Sequence, residues 1–108
     1  MIVRSWRGRA TADRAHAYTD HLVDAVVPKL KALPGFCGYA LLRRIDGQET
    51  EFLVQTYWDS MQAIEAFAGA TPEIAVVEPA ARAVLKSFDT TVFHYEVVAA
   101  TLTAVVAN

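Results

Sequence analysis

Arg4 and Trp6 stand two residues apart near the start of the chain, and His94 stands near its end, within Val92-Phe93-His94-Tyr95-Glu96-Val97-Val98. In an extended strand, residues i and i+2 share a face. Arg4 and Trp6 therefore offer a cation and a flat aromatic wall side by side. A guanidinium there holds an oxyanion or a carboxylate, or closes a salt bridge at a rim. An imidazole exchanges protons near neutral pH, which makes His94 the best candidate for a base, or else a hydrogen-bonded strut beside the first strand. Trp6, Tyr39, Trp58 and Phe67, with Tyr57 and Tyr95, line a flat pocket or fill an ordinary core and interface. Trp58, directly before Asp59, also suits an anchor for the helix that follows. Together these residue types suit removal of a proton in an apolar pocket, with nearby donors taking up the charge.

Other chemistries find less support. His16 and Asp20 are four apart and His21 and Asp24 three apart, on what reads as the first helix. Two histidines five apart do not share a helical face, and no third ligand converges on them. The segment reads as a solvated face, and no metal is expected. His21 adjoins the apolar stripe at Leu22 and is the histidine of this helix that can enter a pocket, as a substrate-binding residue. Cys37 is the only cysteine, so no intramolecular disulfide forms, and a reducing cytoplasmic location is expected. There is no Ser-His-Asp order, phosphate-binding loop, dinucleotide fingerprint or Cys-x-x-Cys.

The elements that must position these residues can be read from pattern. Ile2–Arg9 is a strand. Thr11 and Asp13 signal a helix start, and Ala15, Tyr18, Leu22, Val26, Leu30 and Leu33 recur at steps of three or four, one stripe on a helix. Pro28 lacks an N–H and interrupts it, so one helix is expected to about Val27 and a short turn after it. Cys37–Ile45 and Glu49–Trp58 are strands joined at Asp46-Gly47. Asp59 is the expected cap of the next helix, with Gln62 reaching back and Gly69 closing it. Thr71-Pro72 and Pro79 each start a short helix, the latter carrying Val84, Leu85 and Phe88. Thr90–Val98 is the fourth strand. The order β-α-β-β-α-β predicts an α+β, ferredoxin-like split β-α-β unit with a four-stranded antiparallel sheet. The domain spans residues 1–98, and residues 99–108 form a C-terminal extension.

Composition bears on assembly. With 108 residues the chain makes one domain, and 54% of it is hydrophobic, an excess that fits an obligate oligomer. The late strands carry large apolar groups on both faces: Phe52, Val54 and Trp58 on one, Leu53 and Tyr57 on the other. The helices cover one face only. Leaving ~500 Å² of the other in water would cost on the order of 12 kcal/mol at ~25 cal/mol/Å². A homodimer whose sheets pack face to face, a dimeric α+β barrel, is therefore expected. The net charge of −2 and the sparse Arg4, Arg7 and Arg9 argue against nucleic acid. No apolar stretch reaches the ~18 residues needed to cross a bilayer, so no membrane partner is expected.

Thr56-Tyr57-Trp58-Asp59-Ser60-Met61-Gln62-Ala63-Ile64-Glu65-Ala66-Phe67-Ala68-Gly69 resembles the signature of the antibiotic biosynthesis monooxygenase domain. Ala75-Val76-Val77-Glu78-Pro79, Phe88-Asp89, His94-Tyr95-Glu96-Val97 and the opening Trp6-Arg7-Gly8 are similar to it too. The resemblance reaches Val98 and implies the dimeric α+β barrel superfamily. It implies cofactor-independent oxygenation of a small aromatic or polyketide-like substrate, whose own carbanion reduces O₂. In that reading His94 is the base, Trp6 and Trp58 are pocket wall, and Arg4 or Gln55 stabilises charge. Gln55 enters because the family's asparagine amide has no counterpart: the one asparagine is Asn108. Haem-degrading relatives carry an Asn, a Trp and a His at places that align near Trp6, Phe67 and Val77. The ligand type is missing there, so no cofactor is expected. The alternative is a non-catalytic small-molecule-binding or stress-related barrel of the same superfamily.

Overall fold

The computed structural model describes residues 1–102. β1 (Ile2–Thr11) lies at the centre of the sheet. β2 (Phe36–Asp46) and β3 (Glu49–Trp58) form a hairpin, paired through Asp46↔Glu49 around Gly47. β3 then runs antiparallel along the whole of β1, from Ile2↔Trp58 to Thr11↔Glu49. The other edge of β1 is shared by β4 (Ser87–Phe88) and β5 (Phe93–Glu96). This strand order is that of the ferredoxin-like fold, as expected. The fourth strand differs from the single expected run of Thr90–Val98. Between its two pieces the backbone turns away from β1: Thr90 O accepts from Ala75 N–H (2.9 Å), and Val92 N–H donates to Glu73 O (2.8 Å). Those bonds fasten the 71–78 segment over the sheet instead.

The first helical region does not break at Pro28. α1 (Ala15–His21), a π-helical turn (Leu22–Val26) and α2 (Val27–Lys31) follow one another directly. Regular winding would press the Pro28 ring against the Asp24 carbonyl and leave that oxygen without a donor. The Val27 N–H reaches back five residues to Leu22 O. One extra residue is thus absorbed in a wider turn, and the helix continues. Neither Thr11 nor Asp13 caps α1, which starts after a turn closed by Arg14 N–H on Thr11 O.

α3 (Met61–Ala68) is capped by Ser60, not Asp59: Ser60 Oγ accepts from Ala63 N–H at 3.2 Å. The Asp59 N–H is held by Gly35 O instead. Gly69 closes α3 as expected, donating to Glu65 O. The helix expected at Thr71-Pro72 is only a turn, and α4 (Pro79–Val84) starts at its proline but ends before Phe88, which passes to β4.

Alternation divides the sheet. Arg4, Trp6, Gly8 and Ala10 on β1 pair with Thr56, Val54, Phe52 and Thr50 on β3 and face the helices. Phe52 and Tyr18 centre one apolar cluster, with Leu22, Val54, Ala81 and Leu85; Trp58, Ile64 and Leu30 make the other. The remaining face carries Val3, Leu42, Leu53, Tyr57, Phe93 and Tyr95, of which Phe93 and Tyr95 are 61% and 56% exposed. Among the described residues no helix is long and apolar enough to cross a membrane. Residues 97–102 leave the sheet without regular structure, and the rest of the expected extension lies outside the described residues.

Candidate functional site

A cavity of about 330 Å³ lies between the sheet and the helices, within the range of small-molecule sites. Its floor is Arg4, Trp6, Val54 and Thr56 from the sheet. Tyr18, His21, Leu22 and Val26 come from the first helical region, Phe67 from α3, and Val76 and Val77 from the crossing segment. The wall is mainly carbon, so electrostatic interactions inside it are poorly screened.

Arg4 is the charged group of the floor. It is 5% exposed, on the central strand. Its Nη1 donates to Pro72 O and meets His94 Nε2 at 3.0 Å; its Nη2 donates to Ile74 O at 3.0 Å. The guanidinium also lies over the Phe67 ring, 5.8 Å from its centroid. A guanidinium has five N–H donors, and these three contacts leave the Nε hydrogen and one on Nη2. Burial pulls the Arg4 pKa down, opposed by the charge of Glu73. It nevertheless remains a cation at neutral pH. The 71–78 segment therefore fixes the Arg4 fork in place.

His94 sits opposite Arg4 in the β1–β5 ladder. It does not line the cavity. Burial first, then the Arg4 charge, lowers its pKa, and Glu73 works the other way. The neutral imidazole accepts from Arg4 through Nε2, so the lone pair expected to act as a base is engaged by a cation. His94 is placed to hold Arg4.

Trp6 lies in the cavity as expected, but its indole N–H donates to Asp89 O at 2.7 Å, so it offers a ligand its ring and not its donor. The ring packs over Gly8, where a Cβ would stand 2.8 Å from Trp6 Cη2. Only glycine leaves the indole that room. Phe67 and His21 also line the cavity, as expected. His21 Nε2 is buried and has no hydrogen-bond partner among the described residues.

Three other expected site residues lie elsewhere. Trp58 is fully buried, stacked on Phe67 at 5.4 Å and edge-on to Phe36 at 5.3 Å, with its N–H on Thr56 Oγ1. It is a core anchor that backs the cavity. Tyr39 packs against the Phe52 cluster without lining the cavity. Gln55 has the parity of Leu53 and Tyr57, accepts from the Tyr57 hydroxyl at 3.0 Å, and belongs to the open face. The sequence reading missed Tyr18, whose phenol burial raises well above its ordinary pKa. It also missed Thr56, Val76 and Val77 as wall. Tyr18 was visible as part of the helical stripe; the valines follow from the path of an irregular segment, which no periodicity announces. At the rim, Lys29 Nζ and Glu78 Oε2 pair at 3.1 Å.

A ferredoxin-like sheet with a pocket under its helices defines the class of the protein as α+β with a candidate small-molecule site. Residues 1–87 match the family model of antibiotic biosynthesis monooxygenases, and the chain belongs to that family. Solved structures share the fold. A Bacillus cereus protein classed with the antibiotic biosynthesis monooxygenases superposes with a TM-score of 0.63 at 12% identity, over 95% of this chain and 96% of its own. The Streptomyces coelicolor monooxygenase from ActVA-Orf6, in complex with nanaomycin D, gives 0.61 at 16% identity, over 95% and 92%. The Mycobacterium tuberculosis haem degrader MhuD, with two haems in its active site, gives 0.59 at 24% identity, over 94% and 99%. No curated protein sequence matches the chain. The residues here do not fit a haem site on the pattern of the haem-degrading relatives. Val77 stands in the cavity wall where the resemblance places the imidazole, and the imidazole that does line the wall comes from α1.

Proposed function

We propose that this protein is a cofactor-independent monooxygenase acting on a small aromatic substrate of the anthrone or quinol kind, held flat against Trp6 and Phe67. The observation that carries this reading is Arg4: a buried, pre-positioned cation with two N–H donors left over, in a wall otherwise dominated by carbon. Such a group stabilises an enolate or phenolate far better than the same group in water. The substrate anion then supplies the electrons. For an anthrone, the ring methylene becomes a carbonyl with one oxygen atom of O₂, and the other oxygen leaves as water with the two methylene hydrogens. His94 serves by holding Arg4, and the apolar wall keeps competing water away.

The protein works as a homodimer in this reading, because the face bearing Leu42, Phe93 and Tyr95 needs a covering of like chemistry and a second copy supplies it. Oxygen uptake with an anthrone or quinol tests the activity. Arg4→Met is expected to lower kcat/KM about 100-fold, the scale of losing one preorganised charge-stabilising donor, and Arg4→Lys is expected to fall between. Oxygen uptake unchanged in Arg4→Met, or absent from the native protein across a panel of oxidisable phenols, would leave the non-catalytic binding reading.

A further inference from the structure

Several of the cavity's polar groups are committed within the protein, while Arg4 and the Tyr18 hydroxyl keep donors to spare. The Trp6 N–H goes to Asp89 O, Thr56 Oγ1 accepts from Trp58, and Lys29 and Glu78 hold each other. His21 Nε2 differs: it is buried at the cavity and engages none of the described residues. Most buried polar atoms in folded proteins have a partner, and an exception calls for one. The position is built, too. His21 is the last residue of α1, immediately before the widened turn, and its neighbours Tyr18, Leu22 and Val26 line the same wall.

We infer that His21 is the specificity-determining residue of this pocket, accepting a hydrogen bond at Nε2 from a ligand hydroxyl. In the tautomer with hydrogen on Nδ1, Nε2 is purely an acceptor, whereas Arg4 is purely a donor. The pocket thus selects a ligand with a hydroxyl hydrogen at one point and an anionic or carbonyl oxygen at another, and discriminates against ethers of the same shape. Resting on the proposed reaction, His21 is also the proton acceptor within it. In the enol tautomer of an anthrone, whose hydroxyl hydrogen comes from the methylene, the O–H bond breaks, an Nε2–H bond forms, and the electron pair stays on oxygen and spreads through the ring to the former methylene carbon, which takes up O₂. The imidazolium later returns its proton to the outer oxygen; as the O–O bond breaks and the carbonyl forms, that oxygen leaves as water with the second methylene hydrogen.

Binding of two probes of like shape, 1-naphthol and 1-methoxynaphthalene, to the full chain with oxygen excluded, by calorimetry or tryptophan fluorescence, tests this. The native protein is expected to prefer the naphthol by about tenfold, one hydrogen bond's worth. His21→Leu is expected to bring that ratio near one while methoxynaphthalene still binds, which shows the cavity intact. His21→Gln, whose side-chain carbonyl accepts, is expected to recover part of the preference but none of the turnover. Equal binding of both probes by the native protein, or a ratio unchanged in His21→Leu, overturns the inference. A preference that depends on His21 without oxygen uptake from any anthrone removes the proposed reaction and leaves the inference standing. No binding of either probe overturns both, because it removes the pocket.

Discussion

His94 and Arg4 meet across two strands that are 90 residues apart in sequence. The pairing makes stability depend on pH. Burial and the Arg4 charge hold the folded His94 pKa below its ordinary value of 6.5. As pH falls through that value, the unfolded chain takes up a proton that the folded chain refuses. The contribution to stability is therefore present above the ordinary imidazole range and is lost on acidification toward the lowered folded value. The melting temperature is expected to drop between pH 7 and pH 5, and His94→Gln, which still accepts from Arg4, is expected to flatten that drop. Parallel slopes for the two proteins would refute the assignment. Strand parity put Arg4 and Trp6 on one face and the helix stripe put His21 beside Leu22, but that the same cavity gathers these with Phe67 depends on how the helices pack. Parity also speaks against Gln55, which shares a face with Leu53 and Tyr57. The pairing of His94 with Arg4 was not legible, because it depends on which edge of β1 the last strand joins.

At the scale of elements, the junction of β2, β3 and α3 is closely packed around Gly35. Gly35 has φ +83°, and a Cβ there would stand 2.6 Å from both Ala63 Cβ and Asp59 Oδ1. Gly35→Ala is expected to destabilise the protein by about 2 kcal/mol, combining a left-handed backbone with a clash against α3. Urea unfolding measures this; a loss within a few tenths of a kcal/mol would mean that the junction yields. The hairpin at Asp46-Gly47 and the stripe of the first helix were legible because local chemistry decides them. The cap was misread because Asp59 and Ser60 are both good caps, and the tertiary bond from Asp59 N–H to Gly35 O selects between them. The bend at Thr90–Val92 was likewise invisible: its hydrogen bonds go to residues 73–75, a partner no local pattern names.

For the whole molecule, the open face decides the outcome. Val3, Leu53 and Tyr57 in the middle of the sheet, flanked by Leu42, Phe93 and Tyr95, set large apolar groups around Ser5, Gln55 and Arg7, a mixture that suits an interface with polar pairs at its centre. The native chain is expected to sediment as two copies at micromolar concentration, with a melting temperature that rises with concentration. Leu53→Asp is expected to give single copies of much lower stability, since it would bury a charge at a two-fold seam. A native chain that sediments as one copy at that concentration would rule out the barrel.

The wide turn at Leu22–Val26 holds one residue more than regular winding would. Because the wider turn takes up that residue, the segments before and after it keep the winding phase of an uninterrupted helix, and Tyr18 and His21 stay on the side that shares the cavity with Arg4. Deleting a residue within Leu22–Val26 would thus restore regular winding without turning the pocket's helical wall, whereas a deletion in the regular turns of α1 would rotate what precedes it by about 100°. The slack of the wide turn marks the stretch of this helix whose length can change while the ligand-facing side chains stay in place.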